Sequence, residues 1–248
     1  MLEGLYSAAA GMEAQQQQLD AIGNDLANMD TPGYQSERLG FEDLLYNSAP
    51  SSTGSGASAG VTVGTGAAAL DLGPSQDAGA IQSTGQPLDL AINGNAYFEV
   101  KQPDGSLALT RNGSFQLDGQ GQLTTADGQL VQPPITVPAG TQPSNTSVAG
   151  DGTVSANGKP LGKLALVTVP APQQLTAAGD SLLVASSASG AIRPATGVTV
   201  DQGALNGSNV DLASEMVQMM NVQQSYSMSS KAIDIQDQMA QIANQVRQ

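Results

Sequence analysis

The chain reads as an α+β protein, with long N- and C-terminal helices paired as a coiled-coil-like domain around a central antiparallel all-β domain of short strands. Three observations predict this. Near the N-terminus Leu5, Ala8, Met12, Gln15, Leu19, Ile22, Leu26 and Met29 follow one another at alternating steps of 3 and 4, and all but Gln15 are apolar or Ala. That spacing draws one seam along a helix, as in a coiled coil. Near the C-terminus Met228, Ala232, Ile235, Met239, Ile242 and Val246 repeat the pattern at steps of 4 and 3. Between them the apolar period drops to that of a strand, and the runs are separated by Asn-Gly and Asp-Gly pairs, which supply the positive φ of tight hairpin turns.

The first helix should run from about Leu2 to Asn28, roughly 40 Å at about 1.5 Å per residue. Gly4, Gly11 and Gly23 lie inside it, each costing about 1 kcal/mol relative to Ala. Gly4, Ser7, Gly11, Ala14 and Ala21 fall near one side, displaced from the seam. They are either weak helix sequence or a second contact face that lets another helix approach. Asp30-Thr-Pro-Gly33 ends the helix, because Pro32 disfavours a helical Thr31 and Pro-Gly suits the centre of a type II turn.

Phe41 to Tyr46 is a short amphipathic patch. Every residue from Ser48 to Gly60 is Ser, Ala, Pro, Thr or Gly, a composition that buries little and acts as a flexible linker in a free chain. Val61–Val63 and Ala67–Leu72 follow as short extended pieces. Strands are expected at Leu88–Ile92, Ala96–Val100, Leu107–Leu109 and Phe115–Leu117, with turns at Asn93-Gly94, Asp104-Gly105, Asn112-Gly113 and Asp118-Gly119. Lys163–Val169 is the longest apolar run and is expected to be a central strand. Leu182–Val184 and Val198–Val200 complete the sheets.

The last helix is expected to begin near Asn209, where Ser208 to Asp211 has the form of a capping box. Met216, Met219, Val222, Tyr226 and Ile233 make an early stripe, and the seam from Met228 to Val246 sits in another phase. A helix that changes face suits one touching several neighbours; the drift of a 3.6-residue period against a 3.5-residue template gives the same picture. The domain reading is 1–34 with 205–248 as a helical assembly domain, 35–80 as linker and extended segment, and 81–204 as the β-rich domain.

Composition narrows the chemistry. With no Cys, His or Trp, a thiolate nucleophile, a Cys/His metal site and imidazole acid–base catalysis are excluded. Net charge is −14 with eight Lys or Arg, which argues against nucleic-acid and anionic-lipid surfaces. No run reaches the roughly 18 apolar residues of a membrane span, so no membrane insertion is expected, and no cleavable signal is visible. Asp104, Asp118, Asp127 and Asp151 each precede Gly, where Asp accepts local backbone hydrogen bonds. Asp118 to Gln122 lacks the alternating acids of a calcium loop. No catalytic residue, cofactor or metal ligand is expected.

The segment Ser7-Ala-Ala-Ala-Gly-Met12 through Leu19-Asp-Ala-Ile-Gly-Asn-Asp-Leu-Ala-Asn28, with Thr31-Pro-Gly-Tyr34, resembles the N-terminal signature of bacterial flagellar rod and hook proteins. So do Pro87-Leu-Asp-Leu-Ala-Ile-Asn-Gly94, Thr110-Arg-Asn-Gly-Ser-Phe115 and Ser208-Asn-Val-Asp-Leu-Ala-Ser-Glu-Met-Val217, with Ser230-Lys-Ala-Ile233 beyond. The resemblance implies an axial subunit, exported without a cleaved peptide to the basal body in the periplasm and cell envelope. It implies a helical homopolymer with proximal rod, hook and surrounding ring proteins as partners, and a mechanical role without catalysis.

On that reading the assembly interface comprises Leu5, Met12, Leu19, Ile22, Leu26 and Met29 of the first helix. The last helix adds Met216, Met219, Tyr226, Ile233, Ile235, Met239, Ile242 and Val246. Phe41–Tyr46 with the small-residue linker is most similar to the distal-rod branch of the family. A proximal rod or other hook–basal-body paralogue stays open, as does a secreted β-rich binding module with helical arms.

Overall fold

The computed structural model describes residues 2–43, 46–48, 62–64, 66–138 and 141–246, with side chains from Tyr6 onward except at 46–48, 62–64, 240, 243, 244 and 246. The linker expected at 48–60 lies, after Ser48, outside the described residues, as do Leu44 and Leu45 and the side chains of Leu5 and Val246. Two helices, α1 (Leu2–Ala27) and α2 (Leu212–Val246), flank a mainly antiparallel β region. The chain divides into two units: 1–26, 39–71 and 212–248 make a helical unit, and 27–38 with 72–211 make a β unit.

The β unit is organised around the strand Tyr97–Lys101. Along one edge it pairs with Leu107–Thr110, and its other edge is shared by Leu166–Thr168 and Leu130–Val131. Alternate side chains of a strand point to opposite faces, and this strand buries both. Phe98 and Val100 enter the larger cluster with Leu90, Ile92, Phe115, Leu123 and Val131. Tyr97 enters a smaller one with Leu109, Val167, Val169 and Leu175. Phe98 meets Phe115 edge to face, centroids 5.0 Å apart, the arrangement that aromatic quadrupoles favour.

The helical unit holds α1 up to Leu26, α2 and most of a ribbon in which Glu37–Asp43 pairs with Ala67–Pro74; Glu37, Arg38 and residues 72–74 of that ribbon fall in the β unit. The described residues of the Phe41–Tyr46 patch are therefore strand, 41–43 in this ribbon and Tyr46 paired with Gly64. A two-stranded ribbon alone is marginal in water, so its placement beside helices has a physical reason.

Several expectations change in detail. The run Lys163–Val169 is not one central strand. Lys159–Lys163 pairs with Thr153–Ala156 in a three-stranded sheet, and Leu166–Thr168 joins the larger sheet. The break falls at Leu164 and Ala165, whose N–H groups donate to the carbonyls of Gly152 and Gln132 (2.9 and 3.1 Å) and so carry the chain from one sheet to the other. Of the turns expected from Asn-Gly and Asp-Gly between Leu88 and Val131, hairpins form at Asp104-Gly105, at Asp118–Gly121, where Gly121 and not Gly119 takes the positive φ, and at Asp127-Gly128.

Asn93-Gly94 and Asn112-Gly113 join strands that do not pair with each other. Leu90–Asn93 pairs with Thr199–Gln202 far along the chain. Gly113 is needed for proximity: its carbonyl accepts the Leu90 N–H at 3.0 Å, and a Cβ there would run into the Leu90 carbonyl. Finally, α2 starts at Leu212 rather than near Asn209; Ser208 Oγ accepts the Val210 N–H at 3.3 Å, closing a turn before the helix instead of capping it.

Candidate assembly surfaces

The inner side of α1 is the small-residue side. Ala14 and Ile22 are buried, Ser7, Ala10, Gly11 and Gln18 are half-buried, and Asp25 is buried with a partner. Gly66 of the ribbon comes so near that a Cβ on it would lie 2.9 Å from Ala10 Cβ and 3.4 Å from Ser7 Cα. The small side chains thus let a second backbone approach, here that of Gly66 just before the strand Ala67–Pro74. The expected seam lies to one side of this face: Met12, Leu19, Leu26 and Met29 are half-buried, and Ile22 sits between the two stripes.

Helix α2 is apolar on two opposite sides. Met219, Val222 and Ile233 lie on its inner side with Ser225 and Ser229 between them, and Val222 is buried. At about 100° per residue, Val217, Met220, Met228, Ile235, Met239 and Ile242 fall on the far side. All six are more than half exposed. Met216 is also exposed, and Tyr226 is 37% exposed at the margin of the inner face. Of the sequence-predicted interface residues, the structure thus turns Met219, Ile22 and Ile233 inward and leaves Met216, Ile235, Met239 and Ile242 on the surface.

Between these elements lies an open groove of about 450 Å³. Its walls are Gly11, Ala14, Gln15 and Gln18 of α1, Gln218, Asn221, Val222 and Ser225 of α2, and Phe41 and Ala67 of the ribbon. A Cβ placed on Gly11 would meet nothing within 4 Å. Gln15 Oε1 is buried there without a hydrogen-bond donor among the described residues.

The base of the β unit ties down the three segments that lead to or from the helical elements. The Thr31-Pro-Gly-Tyr34 turn forms as its residues require, with Gly33 at φ 70° and the Tyr34 N–H donating to the Thr31 carbonyl at 3.3 Å. Gly33 donates its N–H to the Asn206 carbonyl at 2.8 Å, and a Cβ on it would strike the backbone of Arg111 and Asn112. Two motifs some eighty residues apart in sequence therefore meet in space.

Asn206 spans Ile92: its Oδ1 accepts the Ile92 N–H at 2.7 Å and its Nδ2 donates to the Ile92 carbonyl at 3.0 Å. Asn209 holds the other two segments. Its Oδ1 accepts the Ser36 N–H at 2.8 Å and its Nδ2 donates to the Asp77 carbonyl at 3.1 Å. Sequence reading missed both asparagines, because a lone Asn beside Gly or Ser carries the signature of a turn and nothing of its distant partners.

Behind this base, Arg111 is buried without a carboxylate partner among the described residues. It donates through Nε to the Ala96 carbonyl (3.2 Å) and through Nη2 to the Gly94 carbonyl (2.8 Å), and its guanidinium lies 5.3 Å from the Tyr97 ring centroid. Burial lowers its pKa from the ordinary arginine value. Burial also pushes the Tyr97 phenol up, partly offset by Arg111 and by contacts to Gln76 and Gln35. The turn carboxylates behave as local caps. Hydrogen bonds from Thr153 hold Asp151 low, those from Ser106 hold Asp104 low, and Asp118 Oδ1 accepts the N–H groups of Gln120 and Gln122.

Three segments match known families. Residues 5–35 match the flagella basal body rod protein family, 91–156 the flagellar hook protein FlgE/F/G D1 domain, and 201–246 the flagellar basal body rod FlgEFG protein C-terminal region. Over 99% of this chain and 100% of the relative, it is 37% identical to the flagellar basal-body rod protein FlgG of Caulobacter vibrioides. It is 36% identical to that of Bacillus subtilis over 97% of both chains. The chain belongs to the flagellar basal-body rod protein family. A flagellar basal-body rod protein FlgF, from Mesorhizobium japonicum, is 28% identical over 91% of this chain. The rod-family match at 5–35 covers α1 and its Pro-Gly turn, and the C-terminal match opens on the strands that carry Asn206 and runs through α2. As a rod-family member the chain is a structural component of the flagellar basal body. No described helix is long and apolar enough to cross a membrane.

Proposed function

We infer that this chain is a distal-rod subunit. It assembles helically with copies of itself into a hollow shaft that carries torque from the motor towards the hook. The observation that carries this is the outer side of α2. A contiguous apolar stripe left exposed on a helix marks an interaction surface, and the outer side of α2 has Met220 and Ile242 each 60% exposed in the single chain. Copies packed side by side supply the missing cover.

In this reading the terminal helices pair in a coiled-coil-like inner layer, with residues 1–34 and 205–248 as the assembly domain and 81–204 as an outer layer. Its interface uses Leu5, Met12, Leu19, Leu26 and Met29 with Met216, Ile235, Met239, Ile242 and Val246. The proximal rod and the hook are the neighbours along the axis, and ring proteins surround it in the periplasm. The chemistry is assembly alone. Full-length likeness to FlgG proteins at 34–37% identity, against 28% to a FlgF protein, supports the distal over the proximal rod. The test is a strain lacking this chain. Its basal bodies should stop at the proximal rod and carry no hook by electron microscopy; hook-bearing basal bodies in that strain would refute the assignment.

A further inference from the structure

We propose that the subunit contact is heterologous: the outer side of α2 in one copy seats in the groove between α1, α2 and the ribbon in the next. The inference rests on the rod reading and says which surface meets which.

The two surfaces lie on different sides of α2. Gln218, Asn221, Val222 and Ser225 line the groove, whereas at about 100° per residue Met220, Met228 and Ile235 are centred roughly a quarter-turn round the same helix, with Asn221 at the boundary. One copy therefore offers a knob and a hole that it cannot join to each other. A contact of unlike surfaces leaves one of each free at the ends, and repetition yields an open helical array. A two-fold contact between outer stripes would cover the apolar side chains but leave the groove without an occupant and Gln15 Oε1 without a donor among the described residues.

Charge selects the same partner. Lys231 lies within the outer stripe, between Met228 and Ile235, and is the one Lys or Arg among the described residues of 1–26, 39–71 and 212–248; Arg38, near the start of the ribbon strand, falls in the β unit. Among the described residues, none that lines the groove is charged. Its wall residue Phe41 is followed on the ribbon by Glu42 and Asp43, and Glu42 is exposed. Seating the stripe brings Lys231 towards the acidic rim of the next copy. In the low-dielectric margin of a contact, that pairing steers which face docks.

The chain has no Cys, so introduced thiols report alone. Cells would co-express a Gly11→Cys chain with a second chain carrying Met220→Cys, Met228→Cys or Ile235→Cys, and isolated basal bodies would be oxidised. The expected result is a mixed dimer of the two tagged chains for at least one pairing. Dimers joining only the α2 positions to each other, or no cross-link in rods that do form, would overturn the proposal while leaving the rod reading intact. Absence of rods with the unsubstituted chain would instead break the rod reading itself. Should the cysteine chains fail to assemble, a charge exchange decides: Lys231→Glu should lower swimming at least tenfold, and Lys231→Glu with Glu42→Lys should restore it. Unimpaired swimming by Lys231→Glu alone, or no rescue by the double exchange, would also overturn the contact.

Discussion

Tyr97 shows how one buried group makes the β unit sensitive to base. Its phenol is held neutral by burial, so its folded-state pKa lies above the ordinary value of 10.0. A group raised in this way contributes stability below the unfolded pKa and loses it as pH climbs through the folded one. The β unit should therefore melt progressively lower above about pH 10, and Tyr97→Phe should flatten that alkaline limb. The same substitution should cost about 1 kcal/mol at pH 7, since only two long contacts to Gln35 and Gln76 are lost. An alkaline limb unchanged by Tyr97→Phe would assign it to other groups. Asn206 is the costlier position. Asn206→Ala leaves the buried N–H and carbonyl of Ile92 without partners, a loss of roughly 2 to 4 kcal/mol readable by thermal melting. A shift below about 1 kcal/mol would mean that water replaces the amide.

At the scale of elements, the legible parts were those fixed by neighbours in sequence. Pro32-Gly33 dictated its turn, and Asp104-Gly105 and Asp127-Gly128 dictated theirs, because the φ demand is local. The two apolar phases of α2 were also legible, as a helix face follows from spacing alone. Strand partners were not. Nothing near Leu90 shows that it pairs with Thr199–Gln202, and nothing in the run Lys163–Val169 shows that it changes sheets at Leu164. The amphipathic patch at Phe41 gave no sign that its strand pairs with residues beyond the Ser/Ala/Gly segment. The groove was illegible for the same reason, since its walls come from three separate segments. The helices themselves should depend on neighbours. Each carries an exposed or half-buried apolar stripe, and α1 has internal Gly, so isolated helices of this kind are marginal. In dilute monomer, amides of 2–27 and 212–246 should exchange far faster than those of Tyr97–Lys101; equally slow exchange would contradict this.

At the level of the whole molecule, folding and assembly belong to different units. The β unit has its own buried clusters and an asparagine-tied base, so it should hold its shape without partners. The helical unit exposes what a polymer needs. Leu19→Asp should leave the melting of the β unit within a few degrees of the parent while abolishing swimming; a β unit that melts much lower would show that the units are not separable in this way. The most direct measurement uses Ile235→Asp. Ile235 is 55% exposed in the single chain, so a carboxylate there costs the monomer little, whereas burial in a subunit contact would leave an unpaired charge out of water. Electron microscopy of basal bodies from a strain carrying only this variant should show structures without hooks, although the purified chain melts as the parent does. Complete, hook-bearing basal bodies in that strain would contradict assembly through the outer side of α2.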